Sequence, residues 1–224
     1  MAKHYQIFIH DNHPLFRAEL IRVIKSQLTQ TTLYEVDHPL LWLSKIKRLP
    51  GNKLLLLDIL ADGGYGLAHI YYLKRYTPQI KIIAMSPTNN TDSTAAKAYW
   101  LGASGIFPKK SGATQLIQLI HNIKNHGPTP NYNQQITPEE REQLSFICDR
   151  IKLLSIQQYK VLILLTAGKV NKQIAQVLGV AEATVKAHLT SIFKKLGVRN
   201  RTQAIITMKV LQSYLVNRPS FQTV

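Results

Sequence analysis

The sequence predicts two modules in tandem, an open α/β sheet followed by an all-α bundle. Three observations carry this. Residues 1–126 alternate apolar runs with amphipathic stretches five times over. A segment rich in proline and amides, NHGPTPNYNQQITPEE at 125–140, then breaks the pattern. Beyond it no strand signal recurs, only helical periodicities parted by glycine or polar turns.

In order, YQIFIH (5–10), TLYEV (32–36), KLLLLD (53–58), KIIAMS (81–86) and GIF (105–107) read as strands. Between them the helical patterns are Leu15–Gln27, Pro39–Arg48, Leu67–Tyr76, Asp92–Leu101 and Ala113–Lys124. Parallel strands need crossover helices, so this order implies a parallel sheet covered on both faces. A flavodoxin-like (βα)5 fold suits it, although several strand orders share the pattern. At 127–150 the chain reads as a linker ending in a helix. Thr137-Pro138-Glu139-Glu140 supplies a cap, a first-turn proline and acids near the positive end. Residues 151–216 then read as a four-helix module and 217–224 as a tail.

Composition narrows the function. Lys and Arg number 28 against 12 acids, for a formal net charge of +16. With 15 bases and 7 acids before Gly127, and 13 and 5 after it, the excess is shared equally. Such a balance favours a polyanion, nucleic acid before anionic membrane. No apolar run approaches the ~18 residues of a membrane span. The N-terminus lacks a signal-peptide pattern, and the single cysteine, Cys148, excludes an internal disulfide. Both fit a cytoplasmic protein, and the setting LSFICDRI makes Cys148 a core residue rather than a reactive thiol.

In doubly wound sheets, chemistry collects at the carboxyl ends of the strands. Strand one ends in His10-Asp11-Asn12, strand three in Asp58 and strand four in Ser86, while Lys109 lies just past strand five. Together they would offer carboxylates for Mg²⁺, a carboxylate nucleophile and an ammonium for phosphoryl oxygens. His10 and His13 flank Asp11, yet nothing else has metal-ligand spacing, so both read as loop-packing residues.

The segments FIHDNHPLFRAEL, LLLLDILADGGYGL, KIIAMSP and GASGIFPKKS resemble, in order and spacing, the signature segments of two-component receiver domains. That resemblance implies Asp58 as phospho-acceptor, Asp11 as metal ligand, Ser86 as switch hydroxyl and Lys109 as the phosphate-pairing lysine. It also implies the backbone carbonyl of Leu60 as a ligand. Departures accompany it. Asn12 stands where a second acid is usual, which keeps an oxygen ligand but lowers metal affinity and phosphorylation rate. Asp62 replaces a common proline, Ile106 the switch aromatic, and Pro87 a small residue.

In the second module, GKVNKQIAQVLGVAEATVKAHLTSIFKKLGVRNRTQA carries a helix-turn-helix pattern. Asn171 can cap the first helix, which buries Ile174, Ala175 and Leu178. Gly179 supplies the left-handed stop. The second helix, Glu182 to Leu196, buries Val185, Leu189, Ile192, Phe193 and Leu196. Its other side offers Lys186, Ala187, Thr190 and Lys194, a face suited to the major groove. The string resembles the DNA-binding domain of LuxR/FixJ-type regulators, which often follows a receiver. By that resemblance Lys186, Ala187 and Thr190 read bases, while Lys172, Thr184, Lys194, Arg199 and Arg201 are candidates for phosphate contacts. Arg199 and Arg201 could equally tie the turn to the last helix.

The combined expectation is a response regulator that binds promoter DNA as a dimer, under control of Asp58 phosphorylation by a sensor histidine kinase, and acts on RNA polymerase. In the usual scheme of that family the unphosphorylated receiver covers the recognition helix. A second reading keeps DNA binding with a degenerate, phosphorylation-independent receiver. A third, an aspartate-nucleophile phosphatase, needs a second carboxylate two residues past Asp58, where Leu60 stands.

Overall fold

The computed structural model describes residues 4–38, 42–87, 93–128 and 136–212. Its first half has five strands, β1 (Tyr5–His10), β2 (Thr31–Glu35), β3 (Asn52–Asp58), β4 (Lys81–Ser86) and β5 (Gly105–Pro108). All pair in parallel, in the order β2-β1-β3-β4-β5. This settles the strand order that local pattern left open. Between strands lie α1 (Pro14–Gln27), α2 (Leu43–Arg48), a single turn α3 (Ala61–Gly64), α4 (Gly66–Tyr76) and α5 (Ser93–Trp100); α6 (Ala113–His126) follows β5. The expected starts at Pro39 and Asp92 fall outside the described residues.

Strand alternation decides which side chains meet which helices. Tyr5, Ile7 and Ile9 join Leu54, Leu56, Ile83 and Met85 against α1 and α6. Phe8, Leu55, Leu57, Ile82 and Ala84 face the opposite way, toward α2, α4 and α5. A close approach fixes α4: a Cβ on Gly66 would lie 2.4 Å from the Ile59 Cα, so only glycine lets this helix start against the end of β3.

The second half comprises α7 (Pro138–Ile151), α8 (Ile156–Thr166), α9 (Asn171–Leu178), α10 (Glu182–Leu196) and α11 (Arg201–Met208), closed by a 3₁₀ turn at Lys209–Leu211. Thr137 caps α7 as expected and closes a capping box with Glu140, and Ser155 with Gln158 forms another on α8. At α9 the structure differs from expectation. Val170 is the cap position, Asn171 is already helical, and Gln173 Oε1 accepts from the Val170 N–H instead. Helix α7 is more than the tail of a linker: Leu144, Ile147, Cys148 and Ile151 are buried in the helical core. Burial pushes the Cys148 thiol up to about 12, which keeps it neutral and inert as expected.

The two halves share one continuous core through α4. Tyr72 of α4 stacks on Tyr159 of α8 with ring centroids 3.7 Å apart, both fully buried. The Tyr72 and Tyr76 hydroxyls both donate to the Leu154 carbonyl, at 3.3 and 3.1 Å, and Tyr71 donates to that of Cys148 at 3.1 Å. Burial holds the Tyr72 phenol well above its ordinary value, so it remains a donor. The Gln212 side-chain amide donates to the Gly63 carbonyl at 2.6 Å, and Lys97 pairs with Glu140 at 2.8 Å.

That last pair has a pH signature. The hydrogen bond from Lys97 holds the Glu140 carboxyl below its ordinary 4.5. Its contribution to joining the halves is therefore full above that value and lost as pH falls below it. Titrating the full chain from pH 6 to pH 3.5 with scattering as readout should show loosening in acid; Lys97→Met should remove that part of the transition.

Candidate functional site

Topology brings the expected residues together. Strands β1, β3, β4 and β5 are consecutive neighbours, with His10 opposite Leu57, Asp58 opposite Met85 and Ser86 opposite Pro108. Asp11, Asp58, Ser86 and Lys109 thus share one sheet edge. Asp11, Asp58 and Ser86 are 2%, 1% and 5% exposed, which places two carboxylates out of water. The Lys109 ammonium lies 2.7 Å from Asp11 Oδ2 and 2.8 Å from Asp58 Oδ2. Its backbone is held where the chain leaves β5, the Lys109 N–H donating to the Ser86 carbonyl at 2.7 Å.

The other carboxylate oxygens are fixed by local turns. Asp58 Oδ1 accepts from the Leu60 N–H at 3.0 Å, and Asp11 Oδ1 accepts from the His13 N–H at 2.8 Å. Both Oδ2 atoms are buried and accept no well-directed hydrogen bond, so the lysine meets them as a charge. Two sealed, acceptor-only oxygens with one counter-charge fit a divalent cation. The Leu60 carbonyl accepts from the Gly64 N–H at 3.1 Å, which leaves it a second lone pair. Asn12 is exposed beside the pocket.

His13 departs from expectation. Rather than packing the loop, its ring lies over the carboxylates: Nδ1 is 2.9 Å from Asp11 Oδ1 and 3.9 Å from Asp58 Oδ2. Asp11, His13 and Asp58 form a group able to hold a metal ion, their ligand atoms within 4.8 Å of one another. His13 is two residues from Asp11 in the sequence, but its approach to Asp58 depends on β1 and β3 lying side by side. His10 behaves as expected: it is buried, with Nδ1 2.8 Å from the Val36 carbonyl.

At the other end of the molecule, α9 and α10 form the helix-turn-helix, with Gly179 in the left-handed region at φ 64°. Val185, Leu189, Ile192 and Leu196 anchor α10 in the core. Thr184, Lys186, Ala187, Thr190 and Lys194 stand exposed on the outer side, and Lys172 and Arg199 are exposed nearby. Lys186 is not wholly independent, since Glu182 lies 3.7 Å from its ammonium one turn earlier. The Thr190 hydroxyl donates to the Lys186 carbonyl at 3.1 Å. Arg201 turns inward: its guanidinium donates to the carbonyls of Leu165 and Lys169, at 2.8 and 2.9 Å, closing the end of α8. It thus ties α11 to the end of α8 through one guanidinium nitrogen.

Contrary to the scheme that the resemblance implies, the described residues of the first half do not cover α10. They hold α7, α8 and Gln212 and leave the outer side of the recognition helix open. The interface tyrosines were missed in the sequence, although IYYLKRY places three of them on one helix.

An acidic sheet-edge pocket with a lysine, joined to a helix-turn-helix with a basic outer face, defines a regulatory module coupled to a DNA-binding one. The response regulator receiver domain family matches residues 7–121, and the family of bacterial regulatory proteins, luxR family, matches 152–208. The chain belongs to the response regulators with a LuxR-type DNA-binding domain, which are transcriptional regulators. It is 32% identical over 209 residues to the glycerol metabolism activator of Pseudomonas putida, covering 91% of this chain and 94% of that one. To the nitrate/nitrite response regulator protein NarP of Escherichia coli K12 it is 30% identical over 209 residues, covering 92% and 94%. A solved structure of the Salmonella typhimurium RcsB response regulator shares the fold at a TM-score of 0.50, with 20% identity, covering 92% of this chain and all of that one. Among the described residues no helix is long and apolar enough to cross a membrane.

Proposed function

We propose that Asp58 is the phospho-acceptor of this regulator and that its phosphorylation loosens the hold of α4 on the helical half, freeing it to dimerise on promoter DNA. The observation that carries this is Lys109, whose ammonium touches both Asp11 and Asp58 inside a sealed pocket. An Asp58 oxygen attacks phosphorus in line as the bond to the donor's leaving group breaks, giving an acyl phosphate. A divalent cation, Mg²⁺ in the family, supplies charge neutralisation on the phosphoryl oxygens when held by Asp11, Asp58 and the Leu60 carbonyl. Lys109 turns from the carboxylates to the new dianion, and the Ser86 hydroxyl donates to it. A sensor kinase is the natural donor. Leu60, where a phosphatase would need its acid/base, favours storage of the phosphoryl group over turnover.

The route outward is short. Gly63 and Gly66 lie five and eight residues past Asp58, and they contact Gln212 and seat α4 respectively. A change at the acceptor therefore reaches the tyrosine contacts through a few residues of backbone. Incubating the full chain with Mg²⁺ and acetyl phosphate tests this. A phosphoryl mass shift on Asp58, absent in Asp58→Asn, with stronger promoter binding, is the expected result. Unmodified Asp58 alongside full DNA binding would favour the phosphorylation-independent reading. Asn12→Asp should raise the phosphorylation rate several-fold, since it restores a missing charge at the pocket mouth.

For DNA, we propose base reading by Lys186, Ala187 and Thr190, with Lys172, Thr184, Lys194 and Arg199 on phosphates. Lys186→Ala should cost about 1–3 kcal/mol on the specific site and relax one base preference. Lys172→Ala should weaken all sequences alike and lower the salt dependence, as gel-shift titrations at two salt concentrations would show.

A further inference from the structure

We propose that His13 is a ligand in the acceptor pocket and makes it prefer late first-row divalent cations, such as Co²⁺ or Zn²⁺, over Mg²⁺. This deepens the pocket reading above and rests on the same Asp11–Asp58 site, but it does not require phosphorylation.

Three observations carry it. The pocket is short of hard anionic oxygen: Asp11 and Asp58 are its buried carboxylates, and Asn12, which could have been a third, is a neutral amide exposed to solvent. Beside Lys109, the His13 imidazole also faces the carboxylates: its Nδ1 lies 2.9 Å from Asp11 Oδ1, in a hydrogen bond that a cation would replace, and 3.9 Å from Asp58 Oδ2. Finally, Asp11 Oδ2 and Asp58 Oδ2 are sealed from water and accept no directed hydrogen bond, so they point into a place for a cation.

The spacing suits a small ion. Ligands about 2.0–2.2 Å from a metal lie at most ~4.4 Å apart, and the three ligand atoms already fall within 4.8 Å. A fraction of an ångström of closure assembles them, with the Leu60 carbonyl or water completing the shell. The cation competes for this place with the Lys109 ammonium, which is 3.5 Å from His13 Nδ1 and sits on a flexible four-carbon stem. Mg²⁺ demands near-octahedral oxygen and gains little from an imidazole. Late first-row ions bind nitrogen readily, and affinity rises along that series. Two carboxylates plus one imidazole is therefore a set in which the nitrogen decides the preference.

The test uses full-length, unphosphorylated protein with CoCl₂ or MgCl₂ as the probe, binding followed by calorimetry and Co²⁺ by its visible absorption. The expected result is Co²⁺ binding at least 100-fold tighter than Mg²⁺. His13→Gln should weaken Co²⁺ tenfold or more, change its absorption band, and leave Mg²⁺ within twofold; the ring is 68% exposed, so the fold tolerates the change. Asp58→Asn should weaken both ions. Co²⁺ affinity unchanged in His13→Gln, or equal loss of both ions, would overturn the role of His13 while leaving the acceptor pocket intact. Failure of both ions to bind wild-type protein would overturn this proposal and the cation reading of the pocket together.

Discussion

Replacing Tyr72 with alanine should open the molecule. The ring is fully buried, stacks on Tyr159 and donates to Leu154 across the contact between the halves. Truncating a buried aromatic of this size costs about 3–5 kcal/mol. Spent on an intramolecular contact, that is more than roughly a hundredfold shift toward the open form. Small-angle scattering should report a larger radius, and amide exchange should accelerate around Leu154 and along α8. Because the outer side of α10 is already exposed, isolated half-site binding should change little, whereas cooperative binding to a two-half-site promoter should rise. Tyr72→Phe, which removes only a hydrogen bond worth about 1 kcal/mol, should fall between the two. Unchanged compactness in Tyr72→Ala would remove the tyrosine contact from any account of regulation.

Lys109→Met should strongly destabilise the receiver half. Lys109 is the cation between Asp11 and Asp58, whose side chains are 0% and 1% exposed. Removing one partner of a buried ion pair costs about 3–5 kcal/mol, because the remaining charge is neither hydrated nor matched. Here two like charges are left facing each other. Urea denaturation at neutral pH should show the loss. It should shrink with saturating divalent cation, which supplies the missing counter-charge. A loss of stability that cation does not relieve would mean that Lys109 acts through packing of its stem.

Much of this was legible in the chain. Alternating apolar runs and helical stretches fixed the strand and helix order, since period and length are local properties of the sequence. Asp58 stood out because a carboxylate ending an apolar run has few structural uses, and in a parallel sheet that end is where ligands bind. The outer side of α10 was readable for a similar reason: Val185, Leu189 and Ile192 assign the inner stripe, and whatever remains faces out.

Other features needed the folded chain. The tie from Arg201 to Leu165 and Lys169 joins segments more than thirty positions apart. His13 became a candidate ligand only once β1 and β3 lay side by side. Tyr72 and Tyr159 are 87 positions apart, and nothing near either announces the other. The amino-acid order alone thus set the elements, the acidic edge and the basic helix, because each depends on neighbours within a turn or a strand. Which donors close the pocket, and which surface of the helical half the receiver grips, depended on contacts between distant segments, whose energies appear only after the backbone has brought them together.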